Sequence, residues 1–169
     1  MVWTNASLVA YHGTDESAAA NIIAGGVDLH VCPAGNEFGK GFYVTTCLDY
    51  ARGRANEKAL LTGNRAAVIA FAVDRGKLCN LDDHLTFIIP NDEYFEFCTY
   101  NSLRNIDHAR GSDGPYDVVY GPVKARLEDL VYRGYAGCDQ ICFLTTKAVN
   151  CLPDRPLLVV TYGDPYFPP

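Results

Sequence analysis

The 169-residue sequence predicts a mixed α+β domain with mainly antiparallel sheets. Three observations predict it. Strand-like apolar runs and helically spaced stretches are interleaved along the whole chain. Their order is not the regular βαβ alternation of a parallel nucleotide fold. The first strand is not followed by Gly-x-Gly-x-x-Gly, which disfavours a Rossmann domain. Hydrophobic content of 49% and charged content of 20% are ordinary for a globular fold, and the length fits a single domain over residues 1–169.

The elements follow in order. Leu8 to Tyr11 reads as a strand that delivers His12 to its edge, within Tyr11-His12-Gly13-Thr14. Asp15 is an N-cap for a helix carrying Ala18, Ala19, Ile22 and Ile23, and Gly25-Gly26 stops it. Residues 27–41 form a long loop with Pro33, Gly35, Gly39 and Gly41, a length that inside compact domains is often functional. Gly39-Lys40-Gly41-Phe42-Tyr43-Val44-Thr45-Thr46 is a glycine-framed entry into a strand that delivers Tyr43. Asp49 caps a second helix. Ala51, Ala55 and Ala59 form a small-residue stripe that lets it sit close on a sheet, and Arg52, Arg54 and Lys58 form its wet face. Gly63-Asn64 ends it.

Ala66 to Val73 is a continuous apolar run, consistent with a fully buried strand. Leu78 to Leu81 adds a short strand. Residues 92–104 read as helix, with Phe95, Cys98 and either Ser102 or Leu103 on one face, although their aromatic richness also fits strand. A polar turn over Arg110 to Pro115 leads to a strand, Tyr116 to Tyr120, closed by Gly121-Pro122. Lys124 to Tyr132 reads as helix, Asp139 to Leu144 as strand, Thr146 to Leu152 as a short helix and Leu157 to Tyr162 as a last strand. Pro165, Pro168 and Pro169 make a tail that cannot extend a sheet interior.

Composition narrows the function. A net charge of −6 argues against nonspecific capture of nucleic acid by phosphate neutralisation. No apolar stretch is long enough to span a bilayer, and Met1 to Ser7 lacks the charged and apolar regions of a secretion signal. The seven cysteines are scattered, with no Cys-x-x-Cys pair, which predicts reduced, mostly buried thiols in a cytoplasmic protein. Disulfides in an exported form are the alternative. His30-x-Cys32 has no second pair to close a zinc tetrahedron, so no metal is expected. Gly35 to Gly41 has one residue too few for a phosphate loop, and glycine stands where the magnesium-binding hydroxyl belongs.

Taken alone, His12 is more often a structural histidine and Tyr43 more often core. The pair, with its glycines, is a plausible floor and wall for a flat heteroaromatic ligand. The order Tyr-His-Gly-Thr, Phe-Gly-Lys-Gly-Phe-Tyr-Val-Thr-Thr, Tyr-Asp-Val-Val-Tyr-Gly-Pro-Val and Asp-Gln-Ile-Cys-Phe resembles ADP-ribosyltransferase-fold domains of microbial, toxin-like families, from about Val9 to Leu152. The second and third motifs are the specific ones.

The resemblance implies a split β-sandwich of two small antiparallel sheets with flanking helices. It also implies NAD+ as co-substrate, cleavage of the nicotinamide–ribose bond and transfer of ADP-ribose to an acceptor. His12 would hydrogen-bond a ribose hydroxyl. Gly13 would meet the nicotinamide carboxamide through its backbone, and Tyr43 would stack on the nicotinamide ring. Thr14, Phe42 and Thr45 would lie beside them as further NAD+ contacts. The superfamily's third residue, usually glutamate, is matched here by Gln140, so the triad reads His-Tyr-Gln.

That departure has a calculable consequence. One unit charge about 5 Å from a ribosyl cation, at an effective dielectric of about 20, is worth roughly 3 kcal/mol. In rate that is on the order of a hundredfold. Strand alternation puts Cys138, Gln140 and Cys142 on one face and Asp139 on the other, which makes Asp139 a poor substitute. Glu37, on the loop, is another possible charge donor.

The leading expectation is a monomeric mono-ADP-ribosyltransferase, cytoplasmic or delivered as an effector or toxin domain, with the acceptor open among protein, nucleic acid and small molecule. NAD+ glycohydrolase is a close variant. A non-catalytic module that binds NAD+ or ADP-ribose is the second class. RNA 2′-phosphate transfer ranks low, because no arginine cluster lies near the two motifs.

Overall fold

A computed structural model describes residues 7–104, 110, 113–125 and 133–163. The fold is α+β, with strands and helices interleaved as expected. The chain divides into two compact units. One comprises Met1–Asp28, Val44–Asn80 and Asn150–Pro169, the other Leu29–Tyr43 and Leu81–Val149.

In the first unit, β1 (Leu8–Asp15) pairs antiparallel with β3 (Ala66–Val73) along its whole length, from Leu8 opposite Val73 to Asp15 opposite Ala66. β7 (Leu158–Thr161) pairs antiparallel on the far side of β3. Thr45, the last residue of β2 (Phe42–Thr45), lies opposite Tyr11. Helix α1 (Glu16–Gly25) starts on Asp15, whose side chain accepts from the amides of Ser17 at 2.9 Å and Ala18 at 3.1 Å.

Helix α2 (Leu48–Thr62) packs on this sheet through the predicted alanine stripe. Ala51, Ala55 and Ala59 are buried against Ala66 and Val68. The approach is so close that a Cβ on Gly13 would come within 1.9 Å of the Ala51 carbonyl oxygen. The helix starts two residues earlier than expected. Its N-cap is Cys47, and Asp49 sits inside the first turn, 3.2 Å from Arg52. The short strand expected near Leu78 is instead helix α3 (Arg75–Cys79), because Asp74 caps it by accepting from the Lys77 amide at 3.0 Å.

In the second unit, β5 (Val118–Ala125) pairs antiparallel with β6 (Arg133–Phe143) and parallel with β4 (His84–Thr86). The parallel pair fits the mainly antiparallel pattern expected, and the three-residue β4 is too short to leave a periodic signal. β5 does not close at Gly121-Pro122. Its pairing to β6 continues past a register shift between Pro122 and Lys124. Proline is tolerated there because β4 pairs with β5 only as far as Tyr120, so the missing N–H faces no ladder partner from β4.

Helix α4 (Asp92–Arg104) forms where helix was preferred over strand. Its buried face carries Tyr94, Cys98 and Asn101, while Leu103 is exposed. The stripe is displaced from the predicted one because aromatics at 94, 95 and 97 leave the face ambiguous. A short helix α5 (Thr146–Val149) follows β6. Residues 126–132 of the predicted helix, residues 111 and 112 of the polar turn, and the proline tail from 164 onward lie outside the described residues.

Cys32, Cys79, Cys98, Cys142 and Cys151 are free thiols. Cys47 and Cys138 are disulfide-bonded, which corrects the expectation of seven reduced thiols. Wide spacing in sequence says nothing of spacing in the fold.

Candidate functional site

The loop that ends in Tyr43 is built around one buried ring. Phe38 is the plug. Its ring lies 6.2 Å from Tyr43, 6.4 Å from Phe87, 6.2 Å from Tyr94 and 6.3 Å from Phe97. Tyr43 then closes the loop on itself. Its hydroxyl accepts from the Phe38 amide at 2.9 Å and donates to the Gly39 carbonyl at 2.8 Å. Gly39 takes a φ of +100°, a region that favours glycine. Gly41 answers a different demand. A Cβ there would lie 2.5 Å from the Cys142 sulfur and 2.7 Å from the Phe143 carbonyl oxygen.

Burial pushes the Tyr43 hydroxyl well above the usual tyrosine range, and the adjacent Cys142 thiol adds to the shift. The phenol therefore stays protonated at physiological pH and acts as a fixed strut. Its hydroxyl is occupied by backbone, so the ring is what Tyr43 can offer a ligand.

Gln140 is buried, at 5% exposure, and its Nε2 donates to Glu37 Oε2 at 2.6 Å. A short bond from an amide to a carboxylate is charge-assisted and stronger than a neutral pair. The amide orientation follows from chemistry, since the carbonyl end would repel the carboxylate. Among the described residues, no donor bonds the Gln140 amide oxygen. Glu37 and Gln140 are 103 positions apart in sequence. Of the carboxylates weighed as substitutes for the missing glutamate, Glu37 is the one at the Gln140 side chain. Asp139 turns to the other face, where it accepts from the Tyr120 hydroxyl.

The predicted site residues divide between the two units. Phe42, Tyr43 and Gln140 belong to the second, with Glu37. His12, Gly13, Thr14 and Thr45 belong to the first. There His12 stands opposite Ile69 and is half-buried, while Thr14 and Thr45 are buried. Thr45 Oγ1 accepts from the Cys47 amide at 3.1 Å, so its hydroxyl already serves the start of α2. Gly13 owes its missing side chain to α2. Any ligand role for it runs through its backbone, as the resemblance implies.

One participant escaped the sequence reading. Asn101 on α4 is fully buried, and its Nδ2 donates to the Glu37 carbonyl at 3.1 Å and to the Phe97 carbonyl at 3.2 Å. An asparagine inside an aromatic-rich helix carries no signal of a partner 64 positions away.

Among the described residues, no group of three or more His, Cys, Asp or Glu side chains is arranged to hold a metal ion, and no helix is long and apolar enough to cross a membrane. A family model described as "Protein of unknown function (DUF3990)" matches residues 8–132. The match takes in His12, Glu37, Tyr43 and Asn101 and ends before Gln140. No curated protein matches the chain.

Proposed function

The chain belongs to that family of proteins of unknown function, and we propose that it is an NAD+-dependent mono-ADP-ribosyltransferase. It cleaves the nicotinamide–ribose bond and passes ADP-ribose to an acceptor. The observation that carries the reading is the bond from the buried Gln140 amide to the Glu37 carboxylate. An enzyme of this kind needs an acceptor for a ribose hydroxyl and a negative charge near the ribosyl cation. In most of the superfamily one glutamate supplies both. Here the tasks are split. The Gln140 oxygen accepts the hydroxyl, and Glu37 supplies the charge.

The chemistry follows from these roles. The C–N bond breaks with its electron pair leaving on nicotinamide, and positive charge builds on the ribose. Glu37 stabilises that charge as it develops, which is where electrostatic preorganisation acts. Tyr43, braced through its hydroxyl, holds the leaving ring by its face. The acceptor forms the new bond to the anomeric carbon and gives its proton to solvent. The oxidised state of Cys47 and Cys138 favours an exported or delivered protein over a cytoplasmic one.

The test is release of nicotinamide from NAD+ by the pure protein, followed by mass spectrometry of a lysate treated with labelled NAD+. Label on a macromolecule is the expected result. Label only in free ADP-ribose would mean glycohydrolysis. NAD+ binding without nicotinamide release, across candidate acceptors, would overturn catalysis.

A further inference from the structure

We infer that Asn101 is a positioning residue for the Glu37 carboxylate, a role that rests on the catalytic reading of Glu37. The argument turns on a single peptide unit, the one joining Glu37 to Phe38. Its carbonyl oxygen accepts from Asn101 Nδ2 at 3.1 Å. Its N–H donates to the Tyr43 hydroxyl at 2.9 Å. Two side chains from distant parts of the sequence thus hold opposite ends of one amide plane. With that plane fixed, ψ of Glu37 and φ of Phe38 are fixed too, and the Glu37 side chain leaves from a set point toward Gln140.

The amide of Asn101 is itself held. Its second bond, to the Phe97 carbonyl one turn back on α4, sets the rotation of the side chain. Among the described residues, its Oδ1 is buried without a partner. An unsatisfied buried acceptor costs stability, and a core built only for packing avoids one. Turning the amide over would satisfy nothing, because it would face an oxygen toward two carbonyls. Holding the Glu37 carbonyl is the job the observed orientation performs.

The experiment compares wild type with Asn101→Leu, which keeps the branching at Cγ and removes the donor. Asn101→Ser and Tyr43→Phe are made beside it. The first readout needs no activity: hydrogen exchange at the Phe38 amide, with the Ile141 and Val119 amides as controls. Asn101→Leu is expected to speed exchange at Phe38 about tenfold or more while the controls hold, since the amide plane loses one clamp.

The second readout is nicotinamide release. kcat is expected to fall on the order of a hundredfold, the scale of a misplacement near 1 Å, with KM for NAD+ little changed. Asn101→Ser, which keeps a shorter donor, recovers part of both. Should Asn101→Leu not fold, Asn101→Ser and Tyr43→Phe carry the same comparison. Unchanged Phe38 exchange in a folded variant overturns the inference, as does equal acceleration at all three amides. Wild type that releases no nicotinamide sinks the catalytic reading instead, and the exchange data still decide whether Asn101 sets the loop.

Discussion

Replacing Glu37 by glutamine isolates the charge that the proposed reaction needs. Glu37→Gln keeps the shape, and the new amide oxygen can still accept from Gln140 Nε2, now 2.6 Å from a carboxylate oxygen. What disappears is one unit of negative charge. The magnitude follows from the geometry. A ribose hydroxyl bonded to the Gln140 oxygen, an amide width away from Nε2, sets the anomeric carbon about 6 Å from the carboxylate. At an effective dielectric of about 20 that interaction is worth about 3 kcal/mol. The predicted loss in kcat is then on the order of a hundredfold. The assay is nicotinamide release at saturating NAD+, normalised to folded protein by circular dichroism. Gln140→Glu, placed in the Glu37→Gln background, returns a carboxylate to the pair and is expected to recover much of the rate. A Glu37→Gln protein that keeps more than half of wild-type kcat would refute the division of labour between the two residues.

Further predictions concern the frame. Gly13→Ala is expected to destabilise the protein by about 3 kcal/mol or more, because its Cβ meets the Ala51 carbonyl at 1.9 Å and α2 must move. Gly53→Ala, on the open face of the same helix with nothing within 4 Å, is expected to stabilise by about 0.5–1 kcal/mol. Chemical denaturation measures both. Asp15→Ala removes the α1 cap bonded to Ser17 and Ala18 and is expected to cost about 1–2 kcal/mol in the same assay. Burial, and then the bond to Asp139, push the Tyr120 hydroxyl up to about 12. The neutral form is thus favoured in the fold. Its contribution is complete below pH 10, the ordinary tyrosine value, and is lost as pH rises toward 12. Tyr120→Phe should flatten the fall in stability over that window, read by denaturation midpoints at stepped pH.

Local patterns were legible where one signal governed each element. The alanine stripe at 51, 55 and 59 set the face of α2, and the continuous apolar run at 66–73 gave the fully paired β3. Patterns failed where competing signals met. Tyr94, Phe95 and Phe97 all bid for the buried face of α4; Tyr94 and Phe97 both pack against Phe38 and Phe87, and of the three only Tyr94 is fully buried. Asp49 looked like a cap, yet a cap must precede the first turn, and Cys47 holds that place. In the candidate site, Tyr43 was readable because its glycines frame it. Gln140 came from a family likeness and Glu37 stood as one option among carboxylates. Their bond was not readable, since no spacing rule spans 103 positions. Close packing against protein accounts for the missing side chains of Gly13 and Gly41. Gly13 meets α2 and Gly41 meets β6.

That outcome shifts the weight of the functional reading onto groups that packing does not explain. A glycine pressed against a helix needs no ligand to account for it. A buried glutamine bonded to a half-buried carboxylate is harder to explain by packing, because taking polar groups out of water costs free energy that an apolar pair does not. The double variant Glu37→Leu/Gln140→Leu tests whether the pair serves the fold or the chemistry. If it serves chemistry, the variant is expected to be at least as stable as wild type, by up to about 2 kcal/mol, since exchange of buried polar pairs for apolar ones is often neutral or stabilising. It should also release no measurable nicotinamide. Denaturant titration and the NAD+ assay on one preparation give both values. A double variant that is less stable by 3 kcal/mol or more, on the scale of broken buried pairs, would mean that Glu37 and Gln140 hold the loop together. In that case their meeting at 2.6 Å would be a structural bond and no evidence of catalysis.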